Sequence, residues 1–338
     1  MKQAIAPQQA QLSDDWRRWI AENLMLGSAP DTITSILTKS GVPLPQALAE
    51  VSLAMASPYV QGGLRLRNRL AKRDWVLGTH ARLKRMAPPA IVRKHKLPAD
   101  AFLREHYSAS EPVIITGMLD DCVARTRWNL DDFAARFAER VVEVQFGRDQ
   151  DDKYEMNSIA HKRKMPFGEY VELVRNAGTT NDFYMTANND SQNRQALQEL
   201  WDDVPLLPEY LNGSKGGYFW FGPAGTLTPF HHDLTNNFMA QIIGRKRIKL
   251  IAPYELGSLY NHRHCFTDVD GRNIDLQRFP LMEGVPILEC VLEPGEILFL
   301  PVGWWHMVEG LETSVTIAFT NFKWDNDFYT RYPNHHDF

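Results

Sequence analysis

Along the first part of the chain, from Ser13 to about Ala56, apolar residues recur every three or four positions, as on one face of an α-helix. The stretch SDDWRRWIAENLMLG begins with Ser13 as a helix N-cap and ends at Gly27. Two further helices are predicted at 31–39 and 46–55. The pattern therefore predicts a small helical unit at the N-terminus.

The segment from Leu64 to Lys96 contains eleven lysines and arginines and a single acidic residue, Asp74. Runs of charge most often form solvated faces, so the first interpretation is a connecting helix. The second is a docking surface for an acidic peptide or for nucleic acid, since cations gather where carboxylates or phosphates bind. Both interpretations stay open, and residues 1–97 are taken as an N-terminal helical region with a basic connecting segment.

After Pro98 the pattern changes to short apolar runs, rich in aromatic and β-branched residues, which Gly, Pro or Asn separate. The runs that predict strands are EPVIITGML, VVEVQFG, NDFYMTA, GGYFWFGPAG, FMAQIIG, KRIKLIAP, PILECVLEPG, EILFLPVG and TSVTIAFTNF. Helices are predicted to interrupt the early part at 129–139 and 166–176. Many short strands at this spacing predict a mainly β domain over 98–338, either a sandwich or a small barrel.

Composition and charge narrow the class of protein. A formal net charge of -4 gives the whole chain no attraction for nucleic acid, so we do not expect a nucleic-acid partner. Cys122, Cys265 and Cys290 have no close spacing, which argues against disulfides or structural zinc and favours a cytoplasmic protein. The N-terminus lacks the apolar core of a signal peptide, and no apolar run approaches the roughly 20 residues that span a bilayer, so no membrane partner is expected.

The stretch TPFHHDLTNNF places two histidines in front of an aspartate. On a strand, residues two apart share a face, so His231 and Asp233 can point at one centre while His232 points away. A third ligand is predicted in PGEILFLPVGWWHMVEG, where His306 follows two tryptophans in an apolar setting. Two histidines and one carboxylate suit non-haem Fe(II), because they leave coordination positions open. The alternative for each histidine is a core residue with a satisfied hydrogen bond.

Two other groups of histidines are weaker candidates for a metal centre. His262 and His264 lie in YNHRHC, which reads as a loop. His335, His336 and Asp337 lie at the C-terminus, where chains commonly fray. Neither group has the strand setting that fixes ligand directions.

An inward-facing lysine is predicted in GRKRIKLIAP. Alternation along this strand puts Lys246, Ile248 and Leu250 on the apolar side. A buried ammonium is costly without a partner, so an anion is expected beside Lys246. That anion is either a structural carboxylate or the distal carboxylate of a dicarboxylic cosubstrate.

Three stretches, TPFHHDLTNNFMAQIIGRKRIKLIAP, RFPLMEGVPILECVLEPGEILFLPVGWWHMVEGL and SVTIAFTNFKW, resemble the Jumonji-C (JmjC) oxygenases of the cupin superfamily. Within that family the chain is most similar to the asparaginyl hydroxylase of hypoxia-inducible factor and its bacterial cupin-like relatives. The likeness is dense from about Tyr218 to Trp324 and looser from Glu111. It implies a double-stranded β-helix, the jelly-roll of the cupins, with flanking helices, and the use of Fe(II), 2-oxoglutarate and O2.

The resemblance also assigns roles by position. The iron ligands that it implies are His231, Asp233 and His306. The residues that it assigns to 2-oxoglutarate are Lys246, Thr228 and Tyr184 for the distal carboxylate, and Asn237 and Asn321 for the chelating end. For Asn321, hydrogen bonding to backbone groups at a strand end stays an alternative.

The activity that the resemblance implies is hydroxylation of an unactivated C–H bond, first of all on a protein or peptide side chain. Demethylation of an N-methyl group by the same chemistry is the alternative, and a small-molecule substrate is a further one. The retained Asp233 favours hydroxylation over halogenation, because family halogenases carry a small residue at that position. The aromatic residues expected to wall the site are Tyr218, Phe219, Trp220, Phe230, Trp304 and Trp305.

Two other function classes stay open on the sequence. One is a non-enzymatic cupin that holds a metal as a sensor or binding module, and the other is a zinc-dependent isomerase or hydrolase. The inward Lys246 beside Thr228 favours the oxygenase, since a metal holder has no need of a buried cation. Because the sequence ends soon after Trp324, any homodimer is expected to use the N-terminal helices.

Overall fold

The computed structural model of the chain describes residues 12–87, 89–186, 192–213 and 216–333. The chain divides into two compact units, Met1–His80 and Ala81–Phe338. The division that the sequence predicts at residue 97 stays a prediction. The N-terminal stretch 1–11 lies outside the described residues.

Four helices form the N-terminal part of the chain. They are α1 (Asp14–Leu26), α2 (Pro30–Lys39), α3 (Leu44–Ala56) and α4 (Pro58–Met86). The Ser13 hydroxyl accepts a hydrogen bond from the backbone N–H of Trp16, and Gly27 ends α1 with φ of 97°, a conformation that glycine adopts without strain. The three helices predicted in this region are therefore confirmed.

Helix α4 contains most of the basic segment. Every residue from 65 to 76 is exposed, and Asp74 is the one acidic residue of the helix. The structure therefore confirms a solvated helix for residues 65–76, whereas residues 92–95 of the same basic segment form a strand. The role of the segment as a docking surface stays a prediction. Among the described residues, no helix combines the length and the apolar character that crossing a membrane requires.

The second unit contains strands with short helices before and between them. The strands are β1 (Val92–His95), β2 (Val113–Thr116), β3 (Val141–Phe146), β4 (Lys162–Pro166), β5 (Phe183–Tyr184), β6 (Tyr218–Gly222), β7 (Leu227–His232), β8 (Asn237–Ile243), β9 (Lys246–Ile251), β10 (Leu288–Leu292), β11 (Ile297–Leu300), β12 (Trp305–Gly310) and β13 (Ser314–Phe319). The helices are α5 (Ala99–Phe102), α6 (Val123–Arg127), α7 (Leu130–Phe137), α8 (Ser158–His161), α9 (Phe167–Asn176) and α10 (Gln192–Ala196). The predicted helices at 129–139 and 166–176 correspond to α7 and α9.

From β6 to β13 the chain alternates between two sheets, except that the consecutive strands β9 and β10 lie side by side in the same sheet. Strands β11, β8, β13 and β6 lie side by side in one sheet, which β2 and β1 extend, and β10, β9, β12 and β7 form the other. Strands β4, β3 and β5 make a separate small sheet. This alternation is the double-stranded β-helix of the jelly-roll, and the predicted fold is confirmed.

Apolar side chains fill part of the space between the two large sheets. One buried cluster draws on both of them, for example Met239 and Leu298 from one sheet and Ile248, Leu250 and Val308 from the other. The opposite face of the larger sheet is covered by α7 and α9. Both faces of that sheet are therefore buried, which explains its near-continuous apolar strands.

Residues before the predicted boundary at 97 help to hold the β unit together. Strand β1 pairs in parallel with β2, and the Arg85 guanidinium lies 2.7 Å from the carboxylate of Glu255, whose side chain is 3% exposed. Arg93 makes a similar 2.7 Å contact with Glu296. Removing these arginines would leave two largely buried carboxylates without a cationic partner.

We therefore expect a fragment of residues 81–338 to be more stable than one of residues 98–338. The shorter fragment should lose at least about 2 kcal/mol in its free energy of unfolding, since a broken buried ion pair alone costs about that much or more. Urea unfolding of the two fragments measures the difference. Equal unfolding midpoints would show that β1 and its arginines contribute nothing to the β unit.

Candidate metal centre and cosubstrate pocket

A cavity of about 650 Å3 lies between the two large sheets. It contains two groups of the residues predicted to be functional. The first group is His231, Asp233 and His306, and the second is Thr228, Tyr184 and Lys246. The structure therefore brings the predicted metal ligands and the predicted anion site into one space.

The three predicted ligands form a compact cluster. One ligand atom from each of His231, Asp233 and His306 lies within 4.8 Å of the others. Strands β7 and β12 pair His231 directly with His306, and their ring centroids are 4.1 Å apart. Asp233 follows the last residue of β7, and its Oδ1 lies 3.9 Å from Nε2 of His231. Two neighbouring strands thus bring together a ligand set that the linear sequence separates.

Backbone carbonyls fix the orientation of both histidine rings. Nδ1 of His231 donates to the carbonyl of Pro229 at 2.9 Å, and Nδ1 of His306 donates to that of Trp304 at 3.0 Å. A carbonyl only accepts, so the proton of each neutral ring is on Nδ1. The Nε2 lone pairs are left free to bind a metal.

Burial keeps His306 neutral. The residue is 4% exposed, and burial, with the nearby His231 ring, lowers its pKa to about 3. A neutral imidazole is the form that binds a metal, so the ligand is ready near neutral pH. The donor set of two imidazoles and one carboxylate fits a divalent iron ion.

Asp233 is held from two sides although it lies past the end of its strand. The backbone N–H of Gly303 donates to the Asp233 carbonyl at 3.1 Å, and Nδ2 of Asn237 donates to Oδ2 at 3.2 Å. These bonds leave Oδ1 for a metal. Oδ1 of Asn237 is buried and accepts no hydrogen bond within the described residues, so an acceptor remains beside the centre for a ligand or water.

A β-bulge brings Thr228 to the cavity. Strands β7 and β12 pair His231 with His306 and Thr228 with Val308. The two pairs are therefore three residues apart along β7 but only two apart along β12, which is the extra residue of a β-bulge. Strict alternation would put Thr228 and His231 on opposite faces of the sheet. The bulge turns both side chains towards the same space.

Lys246 is buried beside Tyr184. It is 2% exposed, and its ammonium donates to the Tyr184 hydroxyl at 2.9 Å. Within the described residues no carboxylate forms an ion pair with it, so the structural carboxylate considered on the sequence is not found there. Burial lowers the pKa of Lys246 to about 7. The surroundings would therefore bind an anion favourably.

The Tyr184 hydroxyl complements this cation. Burial raises the pKa of Tyr184 well above its usual value, so the group keeps its proton. It accepts from Lys246 and can still donate to an anion. The Thr228 hydroxyl lines the same part of the cavity and adds a donor. Three donors of this kind suit a carboxylate.

Asn321 is not among the residues that line the cavity, and its predicted role towards 2-oxoglutarate stays a prediction. Its amide donates to the backbone carbonyl of Asn212 at 2.6 Å. The residues of this segment that line the cavity are Thr316, Ala318 and Thr320. Because side chains alternate along extended backbone, Asn321 points to the other side. The structure thus supports the alternative role, hydrogen bonding to backbone near a strand end.

Only part of the predicted aromatic wall lines the cavity. Tyr218 and Trp220 do so, as predicted. The other four, Phe219, Phe230, Trp304 and Trp305, belong to the surrounding apolar clusters. Phe266, which the sequence did not single out, lines the cavity and stacks against His231 at 6.0 Å between ring centroids.

His232 borders the cavity but lies outside the ligand cluster. Its Nε2 is 3.3 Å from the Tyr332 hydroxyl, and burial lowers its pKa. His262 and His264 also lie outside the cluster. Residues 335–337, the other candidate group, lie outside the described residues.

Comparison with known proteins gives a consistent family. A sequence profile described as a cupin-like domain matches residues 98–330. Lysine-specific demethylase JMJ30 of Arabidopsis thaliana is 32% identical over 248 residues, or 70% of this chain and 55% of that protein. Lysine-specific demethylase 8 of Danio rerio is 32% identical over 251 residues, or 68% and 57%. tRNA wybutosine-synthesizing protein 5 of Gallus gallus is 26% identical over 234 residues, or 64% and 72%.

The chain spans little more than half the length of the two demethylases, 55% and 57%. Their names, and the cupin-like profile, agree with the wider family that the sequence resembles. They do not support the narrower likeness to the asparaginyl hydroxylase of hypoxia-inducible factor.

Proposed function

The chain belongs to the cupin-like domain family, in its JmjC branch of Fe(II)- and 2-oxoglutarate-dependent oxygenases, and from this premise we propose that it oxidises a C–H bond on a protein side chain. One observation carries the proposal. The cavity that contains the His231, Asp233 and His306 cluster also contains Lys246, which no carboxylate of the described residues neutralises. A metal-binding sensor or a zinc hydrolase has no use for this second feature.

The residues divide into three roles in the proposed reaction. Nε2 of each ligand histidine, with Oδ1 of Asp233, would hold Fe(II), which together with 2-oxoglutarate and O2 supplies the oxidising power. The Lys246 ammonium and the Tyr184 hydroxyl would bind the distal carboxylate of 2-oxoglutarate. The Asn237 amide would keep Asp233 in place.

The side chain oxidised is proposed to be an N-methylated lysine. Two relatives are named lysine-specific demethylases, which supports this alternative more than hydroxylation at an unmodified residue. The rings of Tyr218 and Trp220 line the cavity. Aromatic faces attract an alkylammonium group, so the lining agrees with such a substrate.

An anaerobic optical titration tests the oxygenase proposal. Fe(II)-loaded protein should develop a visible metal-to-ligand charge-transfer band on addition of 2-oxoglutarate. Iron binding without this band would favour a metal-binding sensor. Activity with zinc that ignores 2-oxoglutarate and O2 would favour the isomerase or hydrolase.

Mass spectrometry of peptides separates the two proposed outcomes for the substrate. Peptides with methylated lysine are incubated with the protein, Fe(II), 2-oxoglutarate and O2, next to the same peptides with unmodified lysine. Demethylation removes one methylene from the methylated peptide. Hydroxylation adds one oxygen atom, and its appearance on the unmodified peptide alone would overturn the demethylase proposal.

The affinity for 2-oxoglutarate is expected to depend on pH through Lys246. Burial lowers the pKa of the free amine to about 7, whereas a carboxylate bound beside it would raise that pKa. Binding therefore takes up a proton above about pH 7, so affinity should fall there by up to about tenfold per pH unit. Below that pH this group stays protonated and should cause no change.

Anaerobic 2-oxoglutarate titrations at a series of pH values measure this slope. Lys246→Arg is the matched control, because a guanidinium stays protonated throughout the range. The slope should be present in the natural chain and absent in the variant. The same slope in both proteins would assign the titration to another group.

A further inference from the structure

An arginine is completely buried behind the predicted carboxylate site. Arg148 follows Gly147 at the end of β3, and its side chain is 0% exposed. Its backbone N–H donates to the carbonyl of Asp182 at 3.1 Å, which holds the turn against the start of β5. Its Nη2 lies 2.8 Å from the carboxylate of Glu155, which is 4% exposed. The charge is thus paired inside the protein.

Two tyrosine rings enclose the guanidinium. Its ζ carbon is 4.3 Å from the ring centroid of Tyr154 and 5.1 Å from that of Tyr184. Nε and Nη1 of Arg148 are buried and donate to no acceptor within the described residues. Contact with the ring faces compensates in part, since a desolvated cation is attracted by aromatic faces. We call Tyr154, Arg148 and Tyr184 the tyrosine–arginine stack.

The stack is connected to both parts of the predicted carboxylate site. The Tyr154 hydroxyl and Nη2 of Arg148 both donate to the carbonyl of Leu227, at 2.8 and 2.7 Å. Leu227 is the residue before Thr228, so these bonds fix the start of the strand that carries the Thr228 hydroxyl. The Tyr184 hydroxyl, at the other side of the stack, accepts from Lys246 at 2.9 Å.

We infer that Arg148 is a positioning residue for 2-oxoglutarate, an inference that rests on the proposed function. Arg148 does not line the cavity, so it acts through Thr228 and Tyr184 rather than by touching the cosubstrate. Its Nη2 donates to two acceptors, while the plane of the guanidinium lies against two tyrosine rings. A lysine keeps the charge but not this geometry. The arginine, and not simply a buried cation, is required.

The test is Arg148→Lys, measured by 2-oxoglutarate binding to Fe(II)-loaded protein without O2. The dissociation constant for 2-oxoglutarate should rise by about tenfold or more, since displacement of binding groups by a fraction of an ångström costs that much. Iron affinity should stay unchanged. In turnover, KM for 2-oxoglutarate should rise while kcat at saturating 2-oxoglutarate stays close to that of the natural chain. A purely structural role would lower the melting temperature without this split.

Arg163→Lys is the matched control. Arg163 is exposed, and its ζ carbon lies 5.5 Å from the ring centroid of Phe146. It belongs to the small sheet of β3, β4 and β5 but lies outside the tyrosine–arginine stack. Its replacement should leave 2-oxoglutarate affinity unchanged. If Arg148→Lys does not fold, Tyr154→Phe is tested in its place by the same 2-oxoglutarate titration. This variant removes the hydroxyl that donates to the Leu227 carbonyl and keeps the aromatic ring.

Failure of the proposed function can be distinguished from failure of the positioning role of Arg148. If the natural chain gives no charge-transfer band with 2-oxoglutarate, the proposed function and this inference both fall. If the natural chain binds 2-oxoglutarate and a folded Arg148→Lys, or Tyr154→Phe in its place, binds it equally well, the oxygenase stands and the positioning role of Arg148 is overturned.

Discussion

Replacement of His306 by alanine should abolish stoichiometric Fe(II) binding and, with it, turnover of 2-oxoglutarate. The imidazole is 4% exposed, and its Nδ1 bond to the Trp304 carbonyl turns Nε2 towards the other ligands. Loss of an outer-shell partner alone lowers metal affinity by about 10- to 100-fold, so loss of a direct ligand should exceed that range. Iron affinity is measured by competition with a chromogenic chelator, and turnover by succinate formation.

His262→Ala is the control for this experiment. His262 is exposed and lies outside the ligand cluster, so its loss should leave iron binding and turnover as they were. The affinity should also fall in His231→Ala and Asp233→Ala. Full iron affinity in any of the three variants would remove that residue from the proposed centre.

Replacement of Lys246 by alanine should weaken 2-oxoglutarate binding without loss of iron. The ammonium is buried, and no carboxylate of the described residues neutralises it, so a bound carboxylate would gain a charge-assisted hydrogen bond in a buried site. Truncating one partner of such a pair costs about 2–5 kcal/mol, which corresponds to a dissociation constant raised by roughly 30-fold or more. The anaerobic charge-transfer titration measures this constant.

Lys249→Ala provides the comparison, because Lys249 lies on the same strand but faces the other side, where it donates to the carbonyl of Gly271. It should bind 2-oxoglutarate as the natural chain does. Equal affinity in Lys246→Ala would mean that the anion is bound elsewhere, and the cosubstrate pocket would have to be reassigned.

The cluster of two histidines and an aspartate, and the inward lysine, could be predicted because their signals are local. His231 and Asp233 are two residues apart on extended backbone, and Lys246 alternates with apolar residues along β9. Strand periodicity is enough to give such side chains a direction. His306 could be predicted because it follows an apolar run and two tryptophans, a setting in which a polar imidazole is unexpected unless it binds something.

The remaining features depend on irregular backbone and distant contacts. Thr228 reaches the cavity through a bulge that periodicity cannot reveal, and only the family resemblance pointed to it. Asn321 lies outside the cavity lining because alternation beyond the end of β13 sends its side chain to the opposite side. The stretch QFGRDQ gives no sign that Arg148 is buried against Tyr184, because that burial depends on residues far along the chain.

The two halves of the pocket depend on different kinds of contact, backbone in one and side chain in the other. This difference affects how the protein can evolve. The rings of His231 and His306 take their orientation from the carbonyls of Pro229 and Trp304, each two residues earlier. A side-chain substitution elsewhere cannot delete a backbone carbonyl, so the orientation of these two rings is protected from most substitutions. The cosubstrate end relies on side chains from separate segments, such as Arg148. Divergence within the family should therefore alter the use of 2-oxoglutarate sooner than the ability to bind iron.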